Sequence, residues 1–404
     1  MALLAGLRLP RPDRSNAGMW AIAGGHALNH TTLAAFSLLL PFIARDLGLS
    51  FSQVGLLVSV RQFMSVVVNI PAGVLVDVMG QRDRFMAVSL VGALLPYLIV
   101  ALAPTLPVMV ACMAVVGAAM FLWHPAAITT LSVLYPDRRG YGLALHEVGA
   151  NAGMTLAPLA AGFLVATLTW RGVLVANVAA GLPLALFLLA VIARLQPAEG
   201  AGGQPARTLR GYAGNLRAML RNPSFVVLAA VSGIRSMTQS GLSTFLPLYL
   251  VYTLGVPAPL LGVYLTILQV SGMVATPLSG TLSDRYGPKR VATAGMLVTS
   301  LVVLAVIAVR SATTFVAVLA PLGFFVYSMR PAIFRWALGV VPRDAEGATV
   351  GALFTAQALF STFTPVLGGA LADGYGLEAV FYFIAGTVLV ANVATAMVPD
   401  LRRQ

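Results

Sequence analysis

The chain has 404 residues, of which 59% are hydrophobic and only 9% are charged, and its net charge is +12. A soluble domain carries about 25% charged residues, so this composition excludes a soluble globular enzyme, a disordered chain and a nucleic-acid-binding protein. A polytopic membrane protein remains, with room for about twelve spans of about 20 residues. The single cysteine, Cys112, excludes a disulfide framework.

Long apolar stretches, separated by charged, Gly or Pro clusters, predict twelve transmembrane helices. They cover residues 18–43, 51–76, 85–104, 107–134, 141–167, 172–193, 224–251, 258–282, 291–309, 314–341, 347–371 and 377–398. The stretches are too long and continuous for the strands of a barrel. The polar segment between the halves predicts three parts, namely an N-terminal bundle (1–194), a cytoplasmic linker (195–222) and a C-terminal bundle (223–404).

Basic residues predict the orientation. The apolar run at residues 2–7 is short and is followed by Arg8, Arg11 and Arg14, so we expect no cleavable signal peptide and a cytoplasmic N-terminus. Eighteen of the 25 basic residues then fall on the cytoplasmic side, in agreement with the positive-inside rule. They are Arg8, Arg11, Arg14, Arg82, Arg84, Arg138, Arg139, Arg194, Arg207, Arg210, Arg217, Arg221, Arg285, Lys289, Arg290, Arg343, Arg402 and Arg403. The expected location is the inner membrane, with both termini cytoplasmic.

The two halves of the chain repeat each other at an offset of 206 or 207 residues. Residues 73–82 match 280–289, and residues 124–126 match 330–332. The expected fold is therefore an all-α membrane protein of two pseudo-symmetric six-helix bundles. Such halves place a binding site between them, near the bilayer midplane.

The repeated segment resembles the signature G-x-L-x-D-R-x-G-x-K/R of the major facilitator superfamily, although Val78 replaces a basic residue in the first copy. In that family the loop is a conformational latch, whose Asp is held by backbone N–H groups of a neighbouring helix end and by an Arg. The resemblance assigns gating to Gly73, Asp77, Gly80, Arg82, Gly280, Asp284, Arg285, Gly287 and Arg290. A tight interfacial turn is the alternative explanation for Gly80 and Gly287.

Three further segments look like the fosmidomycin-resistance branch, which is similar to proton-driven exporters of drugs and metabolites. They are residues 26–30, 121–125 and 149–153. Helix 5 also resembles the antiporter motif G-x-x-x-G-P-x-x-G-G at residues 153–162. The arginine that the branch carries in helix 4 is Met113 in this chain.

Charged and histidine side chains inside the spans each require a reason, because a charge there costs about 2.5–3.5 kcal/mol. They occur on helices 1, 2, 4, 5, 7 and 10 but not on helices 3, 6, 9 and 12. The last four are peripheral in the family that the chain resembles, so the resemblance implies a central polar cavity. They are Arg61, Arg235, Arg330, Arg335, Glu147 and His26, His30, His124 and His146. One buried acid, Glu147, cannot neutralise the arginines, so the cavity is expected to bind an anion through guanidinium groups.

The predicted substrate-binding residues are His26, Asn29, His30, Arg61, Gln62, His124, Asn151, Arg235, Gln239, Tyr327 and Arg330. Among the arginines, anion binding is assigned to Arg235 and Arg330 ahead of Arg61. The alternative is that each arginine is held by backbone carbonyls or by Glu147. Snorkelling to the interface is expected for Arg335.

His30 and Glu147 are the candidates for proton coupling, since an imidazole changes charge near neutral pH. Structural hydrogen bonding is the expected role of His146, and for His124 it is favoured over ligand binding. A divalent-metal site is not predicted, because the imidazoles lie on three helices and Ala150 replaces the second His of a zinc-protease helix. No cofactor is expected.

The preferred function is a secondary transporter that moves a small organic anion or amphiphile by alternating access, with proton-coupled export. Uptake of an organic anion is the runner-up. A membrane enzyme or a non-transporting receptor is a remote alternative, because no catalytic constellation and no sensing domain is present. The expected partners are the substrate, protons and membrane lipids, and the chain is expected to be a monomer.

Overall fold

The computed structural model describes residues 16–195, 219–341 and 346–400. These residues form twelve long helices, in agreement with the predicted spans. They are α1 (Ala17–Leu47), α2 (Phe51–Met79), α3 (Arg82–Leu102), α4 (Leu106–Leu134), α5 (Arg139–Val165), α6 (Trp170–Leu195), α7 (Pro223–Tyr252), α8 (Ala258–Tyr286), α9 (Pro288–Ala308), α10 (Ala312–Gly339), α11 (Glu346–Tyr375) and α12 (Leu377–Ala394). Most of the predicted linker lies outside the described residues, so the domain boundaries stay a prediction.

Eleven candidate membrane spans are long and apolar enough to cross a bilayer, and α7 is the long helix missing from that set. Its sequence carries Arg235, Gln239 and several Ser and Thr residues, which lower its hydropathy. Some of these side chains, such as Thr238, are fully buried, so the polar residues of α7 lie inside the protein.

The backbone repeats as the sequence does. Glycines with positive φ follow α1 and α7 at Gly48 (60°) and Gly255 (64°), and they end α2 and α8 at Gly80 (66°) and Gly287 (91°). A left-handed conformation is accessible to glycine at little cost, which explains why glycine occupies these turns in both halves.

Successive helices run in opposite directions, so the molecule has two ends. We call the end where α1 stops and α2 begins the Gly48 face, and the end where α2 stops and α3 begins the Gly80 face. Toward the Gly48 face, a single hydrophobic core joins the two bundles, with Leu39 of α1 and Leu246 of α7 in the same cluster. Toward the Gly80 face the core divides into one cluster around Trp123 and another around Trp336. The bundles therefore pack together at the Gly48 face and separate toward the Gly80 face.

Candidate functional site

The Gly48 face is closed by two repeat-related helix crossings, α2 with α11 and α5 with α8. A Cβ atom added at Gly55 would lie 2.0 Å from the Pro365 carbonyl oxygen, and one added at Gly262 would lie 2.5 Å from the Pro158 carbonyl oxygen. These positions correspond at the 207-residue offset. The closure thus uses the same glycine–proline contact twice, and backbone meets backbone at both crossings.

Asp373 strengthens the first crossing. Its Oδ1 accepts a hydrogen bond from the Phe51 N–H at 2.8 Å, and its Oδ2 accepts one from the Ser52 N–H at 2.9 Å. The first N–H groups of a helix have no partner within the helix, and a carboxylate is favoured at this positive end. An acid of the C-terminal bundle therefore caps a helix of the N-terminal bundle.

We expect Asp373→Ala to favour opening of the Gly48 face by about 1 kcal/mol, the usual value of a helix cap, or about fivefold in population. A cysteine introduced at Ser37, between the two bundles, reports the change through its labelling by a thiol reagent applied from that face. Asp46→Ala is the matched control, because Asp46 accepts from Trp170 and Arg171 of its own bundle. Equal labelling in Asp373→Ala and wild type would show that the cap does not hold the face closed.

Toward the Gly80 face, the two bundles leave charged side chains exposed well inside the helices. Glu147 of α5 has an exposed side-chain fraction of 68%, which corrects the expectation of a buried acid. Arg330 of α10 is also exposed and interacts electrostatically with Glu147 across the two bundles. Each residue lies about 12–14 Å from its helix end by the rise of an α-helix. A cleft therefore enters the molecule from the Gly80 face.

A cavity of about 330 Å³ lies between the bundles. Both halves line it, with Ser37 and Gln62 from the first and Ser240, Gln269 and Ser361 from the second. The Gln62 amide donates to the Ser240 hydroxyl across the bundles at 2.8 Å, and Tyr327 donates to its neighbour Gln269. Gln62 and Gln269 correspond at the 207-residue offset. The cavity thus presents amide groups from equivalent positions of both repeats.

The cavity wall is positively charged. Arg61 is the permanently charged side chain among the described residues that line it, and no carboxylate lines it there. Within the described part of the chain, the Arg61 guanidinium has no hydrogen-bond or ion-pair partner. His30 lies on the same wall. The cavity therefore offers a guanidinium that no described residue pairs, beside an imidazole.

The other two arginines stand apart from this wall. Arg235 is 4% exposed and donates to Gln239, while its Nε and Nη1 atoms are buried without a hydrogen-bond partner among the described residues. Arg330 packs over the rings of Phe334 and Phe354 at 5.6 and 5.3 Å. Arg61 thus occupies the position that the sequence analysis assigned first to Arg235 and Arg330.

Five of the predicted binding residues line the cavity, and six do not. The five are His30, Arg61, Gln62, Gln239 and Tyr327. The six are His26, Asn29, His124, Asn151, Arg235 and Arg330. Asn29 is 2% exposed and faces Ser89 of α3, and Asn151 donates to the Glu147 carbonyl of its own helix. The sequence analysis missed Gln269, Ser236, Ser240 and Ser361, although the repeat of Gln62 could have identified Gln269.

The four histidines form one cluster. The His26 and His146 rings stack at 3.7 Å, and the His124 ring lies 5.1 Å from that of His26. Trp123 donates to Nε2 of His146 at 3.0 Å. α1 and α5 approach closely here, because a Cβ at Gly149 would lie 2.1 Å from the Ala23 carbonyl oxygen. The glycine segment at 149–153 therefore brings His146 against α1.

The predicted gating residues lie at the Gly80 face. Gly80 and Gly287 end their helices with positive φ, which agrees with the turn interpretation. Asp284 pairs with Arg335 of α10, so Arg335 has a protein partner there. Arg285 lies over the Tyr286 ring at 5.3 Å, and Arg82 begins α3. The Asp77 side chain lies outside the described part of the structure, so its role as a latch stays a prediction.

The sequence of this chain is similar to those of several known transporters. The sequence profile described as Major Facilitator Superfamily matches residues 22–279 and 228–403. The chain is 27% identical to the multidrug efflux pump Tap of Mycolicibacterium fortuitum over 358 residues, which are 83% of this chain and 84% of Tap. It is 26% identical to the probable nitrate/nitrite transporter NarK2 of Mycobacterium tuberculosis (strain ATCC 25618 / H37Rv) over 374 residues, 88% of this chain and 89% of NarK2.

Solved structures share the fold. A bacterial homologue of the human lysosomal transporter Spinster, in an inward-facing and unoccupied conformation, gives a TM-score of 0.83 at 16% identity. The match covers 96% of this chain and 97% of that one. At this identity the likeness establishes the twelve-helix, two-bundle architecture.

Proposed function

The chain belongs to the major facilitator superfamily and is a multi-pass membrane transporter; on that premise we propose that it carries a small organic anion by alternating access. The observation that supports this substrate class is the Arg61 guanidinium, which among the described residues has no hydrogen-bond or ion-pair partner and lies on a cavity wall without a carboxylate. Such a site favours a carboxylate, phosphate or phosphonate, which a guanidinium binds through two parallel hydrogen bonds. The volume of about 330 Å³ suits a small ligand.

We place the Gly80 face in the cytoplasm, so that the described conformation is open to the inside. The positive-inside distribution supports this orientation, and Arg82, Arg84, Arg138, Arg285 and Arg290 lie at that face. Nine of the basic residues behind the prediction lie outside the described residues. They are Arg8, Arg11, Arg14, Arg207, Arg210, Arg217, Arg343, Arg402 and Arg403. The transporter acts as a monomer, and the basic face contacts anionic lipid headgroups.

Protons drive the cycle in this proposal, with His30 and Glu147 as the titrating groups. His30 lies on the cavity wall with Arg61, so its charge changes the attraction for an anion. Glu147 lies in the cleft toward the Gly80 face, where it is reached from the cytoplasm and faces Arg330. Export is the preferred direction, because the fosmidomycin-resistance branch that the sequence resembles is similar to proton-driven exporters. Uptake is the second candidate. The likeness to a probable nitrate/nitrite transporter supports an anionic substrate in either direction.

Reconstituted liposomes test this proposal. Uptake of a panel of labelled carboxylates, phosphates and phosphonates is measured with and without an imposed pH gradient, in both directions. We expect saturable flux of at least one anion and accumulation that follows the gradient. Flux of neutral and cationic compounds alone would reject the anion assignment, and flux that ignores the gradient would reject proton coupling.

His30→Gln sharpens the coupling test. We expect this variant to move the anion down its own gradient but to lose the accumulation driven by the pH gradient, because glutamine cannot bind and release a proton. His146→Gln is the matched control, since the His146 ring is buried in the same cluster but does not line the cavity. If His30→Gln accumulates anion as wild type does, His30 is not the coupling group.

A further inference from the structure

Three imidazoles of the N-terminal bundle converge on one point. His26 and His30 lie four residues apart on one face of α1, and His124 faces them from α4. One ring nitrogen from each lies within 4.8 Å of the other two. We propose that His26, His30 and His124 form a binding site for a divalent transition-metal ion such as Zn²⁺, whose binding excludes the proton that the transport proposal assigns to His30.

The spacing of the first two ligands fits a metal ion. Nε2 of His26 and Nε2 of His30 are 3.2 Å apart. Zn–N bonds of about 2.0–2.1 Å at tetrahedral angles separate two ligand nitrogens by about 3.3–3.4 Å. The pair therefore has the spacing of two ligands of one ion, and His124 must move toward them, because the ligand atoms of the trio lie up to 4.8 Å apart.

The His26 tautomer also fits. Nδ1 of His26 lies 2.9 Å from the His146 carbonyl oxygen, which can only accept a hydrogen bond. The proton of neutral His26 therefore sits on Nδ1, and the lone pair of Nε2 points toward His30. Metal-binding histidines are commonly fixed in this way by a backbone carbonyl.

Two ring nitrogens of the three histidines are unpaired among the described residues. Nδ1 of His30 and Nδ1 of His124 are buried and have no hydrogen-bond partner among the described residues. Buried polar atoms in native proteins are nearly always paired. An ion bound through Nδ1 of His124 gives that atom a partner, whereas Nδ1 of His30 gains none, because His30 faces the ion with Nε2.

The chemistry of the trio selects the class of ion. Imidazole nitrogen suits Zn²⁺, Cu²⁺ and Ni²⁺, whereas Mg²⁺ and Ca²⁺ require oxygen ligands. Three neutral imidazoles leave a fourth position for water or an anion. The Arg61 guanidinium disfavours positive charge at His30, so an ion bound there requires an anion in that fourth position to offset the repulsion.

Cobalt spectroscopy tests the site without any measurement of transport. Protein without a polyhistidine tag is purified, treated with a chelator and titrated with Co²⁺. We expect one equivalent to give the intense visible bands of four-coordinate cobalt, and Zn²⁺ to abolish them in competition. The weak bands of six-coordinate cobalt, or no bands, would overturn the proposal and leave a hydrogen-bonded histidine cluster.

Variants locate the ion. We expect His26→Gln, His30→Gln and His124→Gln each to weaken Co²⁺ binding at least about tenfold, since loss of even an outer-shell partner costs about 10–100-fold. His146→Gln is the control, because its ring stacks on His26 but its nitrogens are outside the trio. Equal weakening in the control would reject this ligand set. The wild-type spectrum decides the matter if a variant does not fold.

Discussion

Replacing Arg61 by Gln is expected to weaken binding and transport of the anionic substrate at least about 30-fold. Removal of one partner from a desolvated charge pair costs about 2–5 kcal/mol, and each 1.4 kcal/mol is tenfold in affinity. Arg61→Lys should recover part of the loss, because lysine keeps the charge but not the two-pronged hydrogen bonding. Substrate affinity in detergent and initial flux in liposomes both measure the effect.

Two comparisons make the Arg61 experiment decisive. Arg310→Gln removes the same charge from an exposed ion pair with Glu378, so it should change affinity by less than about twofold. Arg235→Gln and Arg330→Gln should cost less than Arg61→Gln, because neither side chain lines the cavity. If Arg61→Gln binds as wild type while one of those two loses the substrate, the original assignment to Arg235 and Arg330 is right.

The fold was predictable because its signals are strong and repeated. Twelve apolar stretches and a duplicated glycine turn determine the helix count, the two bundles and the turns at Gly80 and Gly287. Membrane helices must satisfy their backbone internally, so hydropathy reports them directly. The weakest apolar signal belonged to α7, whose polar residues serve the protein interior.

The site was predictable only in part, because a charged residue within a span does not show which way its side chain points. Arg61, Arg235 and Arg330 are equally unexpected in a bilayer, yet one lines the cavity, one is buried behind Gln239 and one lies in the open cleft. Helical spacing groups residues on a face but does not say what that face meets. Asn29 shares its face with His26 and His30 and nevertheless packs on Ser89.

The uncharged lining was missed for a different reason. Serine and glutamine are common enough in membrane helices that none stands out alone beside the charged and histidine side chains. A metal site was not predicted, because the imidazoles lie on three helices and Ala150 replaces the second His of a zinc-protease helix. The close approach of α1 and α5 at Gly149, which follows from small residues, brings His146 against His26 and so helps to assemble the cluster.

Substituting the glycines of the two closed crossings should have the second large effect. Gly55→Ala and Gly262→Ala place a methyl group against a carbonyl oxygen of Pro365 or Pro158, at 2.0 and 2.5 Å. A helix carbonyl cannot move away by changing rotamer as a side chain can. The added methyl group therefore overpacks the crossing, which costs about 1–3 kcal/mol. That cost falls only on the state closed at the Gly48 face, so the population should shift about 5- to 150-fold toward opening.

A single cysteine on the cavity wall reports this shift. Ser37→Cys in a Cys112→Ser background is labelled with a membrane-impermeant maleimide from the Gly48 face, and transport is measured in parallel. We expect labelling to rise and transport to fall in both glycine variants, because alternating access requires both closed states. Gly386→Ala is the matched control, since a Cβ there meets no atom within 4 Å.

The two-fold repeat makes a stricter demand on this experiment. Because Gly55 and Gly262 occupy equivalent crossings, each substitution should act in the same direction, and the double variant should label more than either alone. Sites with no shared contacts usually add in free energy. A rise in labelling for only one of the two, or none for the pair, would show that the crossings do not close the cavity together and that the Gly48 face is held by other contacts.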